Sequence, residues 1–204
     1  MRSDDVTRAV TLACETLATA REKDWHVPAG DLTWTCWETV EHVADDLFVY
    51  AAQLTPAKPS LTTHVPYGYA PRREGGPPLT VFVDPKDGAD GLLTVLESAG
   101  ALLAAMVATA PPDRLSFHSY SVSDPSGFAA MGVVEVLVHL RDVAAGLDLD
   151  WQPPADLCAA ALDRLFRDVP AGTDPWPALL WMTGRIELPG RPRLTSWKWD
   201  GTPR

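Results

Sequence analysis

The chain has 204 residues and a formal net charge of -10, and 46% of its residues are hydrophobic against 22% charged. This length suits one domain, and the hydrophobic fraction is high enough for a buried core and too high for a disordered acidic protein. The negative charge argues against binding to nucleic acid or to an anionic membrane surface, because both need a basic face. We therefore expect a small-molecule or protein partner, with a homodimer as a further option.

Cysteine usage and the N-terminus favour a cytoplasmic protein. The three cysteines Cys14, Cys36 and Cys158 have no CxxC spacing, which is typical of free thiols in a reducing compartment. The first residues lead directly into an amphipathic pattern without an apolar signal core, so we expect no export. The most apolar run, residues 127–140, is shorter than the roughly 18–20 residues that a membrane span needs. We expect no membrane segment.

Hydrophobic periodicity predicts a first helix over residues 4–23 and a second over residues 35–54. Between them, a connection contains Pro28 and Gly30. The second helix begins with Thr35-Cys36-Trp37-Glu38, which has the form of a capping box. In such a box the threonine and glutamate side chains each bond a backbone amide at the helix start.

Residues 55–78 form a proline-rich segment without helical or strand period. Long segments of this kind often serve as binding loops, although a plain surface loop has the same composition. Its polar and aromatic side chains are candidate substrate contacts: His64, Tyr67, Tyr69, Arg72 and Arg73.

The rest of the chain is expected to be mainly helical, with short strands. The predicted elements are a strand at 79–83, helices at 87–110, 124–146, 153–169 and 176–183, a strand at 114–122 and a hairpin within 185–199. Either Asp124 or Ser126 is expected to cap the helix at 124–146, and Pro125 suits its first turn if Asp124 does so.

The helix at 124–146 is apolar on nearly all sides, which predicts a central position, yet it contains Glu135, His139 and Asp142. Residues three and four apart lie on one face of a helix, so these side chains project from one stripe. A buried carboxylate needs compensation, which a metal ion shared by Glu135 and His139 would provide. The two residues would equally be explained by a hydrogen bond to each other or to a buried arginine.

A third ligand is sought in the second helix, where His42 is the candidate. On a helical wheel His42 points away from the apolar stripe and lies beside Glu38, Asp46 and Val49. It is therefore either a solvated histidine paired with Glu38 or Asp46, or part of a cleft on that side of the helix. Periodicity does not choose between these interpretations.

Two segments carry a resemblance to a known family. Residues 32–44, LTWTCWETVEHVA, and residues 133–142, VVEVLVHLRD, resemble the signatures of the DinB-like superfamily, and in particular the metal-binding domain of mycothiol-dependent maleylpyruvate isomerase. These families are four-helix bundles that hold one divalent metal. The resemblance covers about residues 5–146 and implies that His42, Glu135 and His139 are the ligands, with zinc expected first and nickel as the alternative.

The resemblance also implies an organisation of the chain. We expect a mainly α, DinB-like bundle over residues 1–150, with a few short strands, and a C-terminal helix and hairpin over residues 151–204 packed on it. Asp142 would orient a ligand or form a salt bridge, and Asp46 and His118 are further pocket candidates. Trp197 and Trp199 alternate with polar residues as core-covering strand residues do, which requires no functional role.

The function implied is metal-dependent thiol chemistry, with mycothiol as cosubstrate and a small electrophile as substrate. The metal would lower the pKa of the thiol, which would then attack the electrophile in a transfer or an isomerisation. One alternative is a non-catalytic metal-binding or stress-associated binding protein. Another is hydrolysis by a metal-bound water, which would not depend on thiol.

Overall fold

The computed structural model describes residues 1–204 and confirms the mainly α fold. The six helices are α1 (Ser3–Leu17), α2 (Cys36–Gln53), α3 (Gly88–Thr109), α4 (Pro125–Leu147), α5 (Ala155–Leu165) and α6 (Pro175–Met182). The strands are β1 (Ala70–Pro71), β2 (Pro78–Leu79), β3 (Ser116–His118) and β4 (Ser121–Ser123). They form two antiparallel pairs, β1 with β2 and β3 with β4.

Helices α1 to α4 form the bundle. α1 and α2 each pack against both α3 and α4, so the two pairs bury their apolar stripes against each other. α4 is the central helix, and Phe128, Met131 and Leu137 on different sides of it are completely buried. This agrees with its apolar sequence and explains why any polar residue on α4 must face a partner or a cavity.

Local hydrogen bonds fix where α2 and α4 begin. The capping box of α2 is confirmed, since Thr35 Oγ1 accepts from the Glu38 amide at 3.1 Å and Glu38 Oε2 accepts from the Thr35 amide at 2.9 Å. Of the two candidates for the N-cap of α4, Asp124 is the one, and its Oδ1 accepts from the Gly127 amide at 2.7 Å. These caps satisfy backbone amides in the first turn and so stabilise the start of each helix.

The prediction for the first helix was wrong at its C-terminal end. α1 stops at Leu17 and a 3-10 turn at Ala18–Ala20 follows, whereas periodicity extended the helix to residue 23. Trp25 turns back so that its indole Nε1 donates to the carbonyl of Ala20 at 3.1 Å. This bond satisfies a carbonyl at the end of the turn and leads the chain away from the helix axis.

The predicted strands differ in extent from those in the structure. The strand placed at 79–83 is only Pro78–Leu79, because the amides of Thr80 and Val81 donate to the Asp45 carboxylate at 2.7 and 2.6 Å instead of to a neighbouring strand. The strand placed at 114–122 is two strands, β3 and β4, joined by a tight turn at Ser119 and Tyr120.

The C-terminal segment has shorter regular elements than predicted. α5 ends at Leu165 rather than at residue 169, and residues 185–199 form no hairpin beyond an isolated pair between Leu188 and Arg191. Side-chain bonds hold this tail instead. The Trp181 indole donates to the Pro192 carbonyl at 3.0 Å, for example. Hydrogen bonds of this kind produce no hydrophobic periodicity, so they cannot be predicted from the sequence pattern.

The extension is packed against the bundle. α5 contacts α4, and α6 contacts α5. The Trp151 indole donates to the carbonyl of Leu137 in the middle of α4 at 3.0 Å, and Trp199 is buried. One buried hydrophobic cluster includes residues from the bundle and from the extension. This packing places the tail beside the polar face of α4.

One helix, Pro85–Thr109, is long and apolar enough to cross a membrane by length and composition alone. It consists of α3 and the turn before it, and it packs against α1 and α2. Leu92, Leu96 and Leu103 on its inner face are buried. A core helix of a bundle meets the same criterion of length and composition.

Candidate metal centre

The three residues proposed as metal ligands lie together in the structure. Helix α2 supplies His42, and α4 supplies Glu135 and His139 one turn apart, with one ligand atom from each within 4.8 Å of the others. His139 Nε2 lies 3.3 Å from Glu135 Oε2. The two imidazole rings are nearly perpendicular, with centroids 5.0 Å apart. The helical spacing of α4 and the packing of α2 against α4 bring these donors together.

The cluster lines an open cavity of about 570 Å³, a size typical of small-molecule sites. Aromatic and polar side chains from α2, α4, the β3–β4 hairpin and the tail form its walls. The lining residues are Leu32, Thr33, Trp34, His42, Asp46, Tyr50, His118, Ser119, Tyr120, Glu135, His139, Arg185, Trp197 and Trp199. The side of α2 that carries His42 therefore faces a cleft, although it points away from the apolar stripe.

Burial and neighbouring charges control the protonation of the cluster. Burial, together with nearby His139, lowers the pKa of His42 to about 4, so this imidazole is neutral at pH 7 and has a free lone pair. Burial would raise the pKa of Glu135, but His139 and His42 outweigh it and hold that pKa below its ordinary value. Burial and the charges of Glu135 and Asp45 raise the pKa of Asp46 well above its usual range.

Of the two roles that the sequence left open for Asp142, the salt bridge is present, and the carboxylate also lies close to His139. Its Oδ2 lies 3.4 Å from His139 Nδ1 and accepts from Nε and Nη2 of Arg185 at 3.3 and 3.0 Å. Burial disfavours a charged His139, but Asp142 and Glu135 raise its pKa nonetheless. The Asp142 carboxylate thus lies on the Nδ1 side of the ring, while Nε2 lies on the side of Glu135.

Two further groups support the cluster from α2. The Tyr50 hydroxyl donates to Glu135 Oε1 at 3.4 Å, which leaves Oε2 directed toward His139. Asp46 Oδ2 lies 3.4 Å from His42 Nε2. The pairing of His42 with Asp46 is therefore present and lies inside the cavity, whereas Glu38 pairs with Arg73 elsewhere.

The donor set fits one divalent metal. Two imidazole nitrogens and one carboxylate oxygen are ligands that zinc accepts, at roughly 2.0–2.2 Å from the ion. The same set suits nickel, iron and manganese, so the donors do not select the metal. Three such donors on one ion would leave coordination positions for a water or a ligand from the cavity, as in catalytic rather than structural zinc sites.

None of the five candidate substrate contacts of the proline-rich loop lines the cavity. Arg72 forms two bonds to the buried Glu41 carboxylate at 3.1 and 2.6 Å and so fastens the loop to α2. Tyr67 packs on Phe48, with ring centroids 5.4 Å apart. His64 contacts the cavity wall only from behind, through its Nε2 and the Ser119 hydroxyl at 3.0 Å.

Other residues of the site were not identified from the sequence. Trp197 and Trp199, for which the sequence analysis required no functional role, line the cavity, and so does Arg185. Trp34 lies beside both histidines, with its ring centroid 4.9 Å from that of His42 and 6.4 Å from that of His139. Trp34 could have been found from the sequence, because it belongs to the LTWTCWETVEHVA signature. The tail residues Arg185, Trp197 and Trp199 belong to no such signature.

Comparison with known families gives one match. The family described as mycothiol maleylpyruvate isomerase N-terminal domain matches residues 6–144, which span α1 to nearly the end of α4. Comparisons with curated proteins and with solved structures each gave no significant match. The match covers well over half of the chain and includes His42, Glu135 and His139, while Arg185, Trp197 and Trp199 lie beyond it. The chain therefore belongs to the mycothiol maleylpyruvate isomerase N-terminal domain family.

Proposed function

We propose that this protein is a metal-dependent enzyme of the mycothiol-dependent transferase or isomerase type. His42, Glu135 and His139 would hold one divalent ion, with zinc as the first expectation, and a low-molecular-weight thiol would attack a small electrophile in the cavity. The observation that carries this proposal is the position of three metal-binding donors in the wall of an open cavity of about 570 Å³.

The chemistry follows from the donor set and its surroundings. A bound divalent metal supplies a thiolate at neutral pH by lowering the pKa of the thiol. No cysteine of the chain is suited to that role, because burial raises the pKa of Cys14 and Cys36 to about 11 and that of Cys158 to about 12. The nucleophile is therefore expected to come from a separate thiol, which agrees with the mycothiol in the family description.

The other side chains around the metal site would hold the ligands in place and contact the substrate. His42 and Glu135 are held unprotonated, as ligands must be, whereas the raised pKa of His139 means that a metal would displace a proton from that ring. Asp142, 3.4 Å from Nδ1 of His139, would orient the ring with Nε2 toward the metal. Arg185 fixes Asp142 with two hydrogen bonds and so ties the tail to the centre. The aromatic side chains of the tail, Trp197 and Trp199, line the cavity and would pack against a substrate there.

The proposal is tested by measuring S-conjugate formation from mycothiol and a panel of unsaturated and aromatic electrophiles, with zinc-loaded protein. We expect turnover that needs both zinc and thiol, and a rate at least about 100-fold lower for Glu135→Gln, because even groups behind a ligand change metal affinity or activity 10–100-fold.

The other outcomes assign a different function. Zinc-dependent turnover that is unchanged without thiol would mean hydrolysis by a metal-bound water. No turnover with any electrophile, despite a full complement of zinc, would favour the non-catalytic, stress-associated binding protein. Either result would contradict thiol transfer.

A further inference from the structure

His118 lies in the cavity wall across from the metal ligands and belongs to the β3–β4 hairpin. The hairpin is held on several sides. Gln53 of α2 donates to the Phe117 carbonyl at 2.6 Å, and the Ser123 hydroxyl donates to the Gly201 carbonyl at 2.6 Å. The position of the His118 ring is therefore fixed before any ligand enters.

The hydrogen bonds of His118 determine which ring nitrogen carries the proton. Its Nδ1 accepts from the backbone amide of Tyr120 at 3.2 Å. Burial, with a smaller contribution from His64, lowers the pKa of His118 to about 4, so the imidazole is neutral at pH 7. A neutral ring whose Nδ1 accepts carries its proton on Nε2.

This Nε2–H has no acceptor in the protein. None of the hydrogen bonds or salt bridges of the structure involves it, although the residue is only 7% exposed and lines the cavity. The Nε2 atom itself is accessible from the cavity, where a water or an acceptor atom of a ligand can take its hydrogen bond. The donor is thus available to whatever occupies the cavity.

The rings around His118 indicate the shape of that ligand. The centroid of His118 lies 5.4 Å from that of Tyr120, 5.6 Å from that of Trp199 and 5.8 Å from that of Tyr50. Such aromatic walls favour flat ligands that stack or pack edge to face.

The charges in the cavity indicate that the ligand is not a multiple anion. Arg185 is the one cationic side chain in the lining, and the Asp142 carboxylate balances it through two hydrogen bonds. The negative Glu135 lies in the same wall. With a divalent ion bound, Glu135 and the thiolate would balance its two charges, so a dicarboxylate would find no second free cation either with or without the metal.

We propose that the cavity takes a flat, uncharged electrophile with a carbonyl oxygen, such as an aromatic α,β-unsaturated ketone, and that His118 donates its Nε2–H to that oxygen. The reaction in this inference rests on the proposed function, whereas the binding of the ketone by His118 does not depend on it. When the thiolate sulfur bonds to the β-carbon, the π electrons of the C=C bond shift so that negative charge reaches the carbonyl oxygen at His118. Water then gives a proton to the α-carbon, and the thioether ketone results.

Binding is measured first, with metal-free protein and without thiol. Benzalacetone is the flat ketone, trans-β-methylstyrene is its counterpart without the carbonyl, and fumarate is the dicarboxylate. Each is titrated by quenching of tryptophan fluorescence against the parent, His118→Phe, which keeps a ring without a donor, and His118→Gln, which keeps an N–H. Far-UV circular dichroism checks that the variants are folded.

We expect His118→Phe to raise the Kd of benzalacetone roughly 3–10-fold, as the loss of one neutral hydrogen bond does, and to leave that of the hydrocarbon within about twofold. His118→Gln should restore part of the difference, and fumarate should bind more weakly than the ketone. Equal weakening of both aromatic ligands would overturn the proposal, since His118 would then only shape the cavity. Unchanged ketone binding, or fumarate bound as tightly as the ketone, would overturn it as well.

Turnover separates this inference from the proposed function. In zinc-loaded protein with mycothiol, His118→Phe should raise KM for benzalacetone and lower kcat, while metal content stays equal to that of the parent. If the binding results hold but no S-conjugate forms, the ligand assignment stands and the proposed function fails. If S-conjugates form but the Kd and KM of benzalacetone are the same in His118→Phe as in the parent, the proposed function stands and the ligand assignment fails.

Discussion

Zinc at 1,000 times its Kd is expected to raise the melting temperature of this protein by about 8–16 °C and to leave that of Glu135→Gln almost unchanged. An ion that binds only the folded chain at this excess adds about 4 kcal/mol to the free energy of unfolding. For a chain of this size each kcal/mol shifts the melting temperature by roughly 2–4 °C. Because Glu135 supplies the one carboxylate of the cluster, its replacement removes the charged ligand. Differential scanning calorimetry with and without zinc measures the shift.

His26→Gln is the matched control, because His26 is exposed and lies outside the cluster. It should keep the full zinc-dependent shift. An equal shift in Glu135→Gln and in the parent would show that zinc stabilises the protein somewhere else, for example at exposed acidic groups.

Asp124→Ala is expected to lower the free energy of unfolding by about 3–5 kcal/mol, and the melting temperature by about 10 °C. Asp124 Oδ1 accepts from Arg164 Nη2 at 2.9 Å and from the Gly127 amide at 2.7 Å, and both side chains of the ion pair are 7% exposed. The substitution leaves a buried guanidinium without its counterion and removes the N-cap of α4. Urea unfolding followed by circular dichroism gives the difference.

The control is Asp156→Ala on α5, whose carboxylate pairs with Arg8 at the surface. Solvent screens this exposed pair, so the unfolding midpoint should hardly move. If Asp124→Ala is no more destabilising than Asp156→Ala, the buried pair does not hold the start of α4 in place.

The predictable part of the site came from local spacing. Glu135 and His139 are four residues apart on a helix whose apolar sequence requires burial, so their shared face and their need for a partner follow from the sequence. His42 is different. Its position on the helical wheel agreed equally with a solvent-exposed histidine and with a histidine that lines a cleft. Only the packing of α2 against α4 brings it close to Glu135 and His139.

The parts that sequence did not predict depend on contacts between distant segments. Arg185 and Asp142 are 43 residues apart, and the indole of Trp199 enters the cavity wall from a tail with almost no regular structure. The segment at 79–83 does not form the predicted strand for a similar reason. The backbone amides of Thr80 and Val81 donate to the buried carboxylate of Asp45 and not to a neighbouring strand. Periodicity describes one element at a time and does not contain such pairs.

We expect His42, Glu135 and His139 to hold one divalent metal. Elemental analysis of protein purified without chelator or nickel resin, reconstituted with zinc and then desalted measures this binding. The parent, His26→Ala and the double variant Glu135→Ala, His139→Ala are compared. The expected result is about one equivalent of metal in the parent and in His26→Ala and almost none in the double variant. A parent that stays free of metal after reconstitution, or a double variant that retains a full equivalent, would contradict the claim.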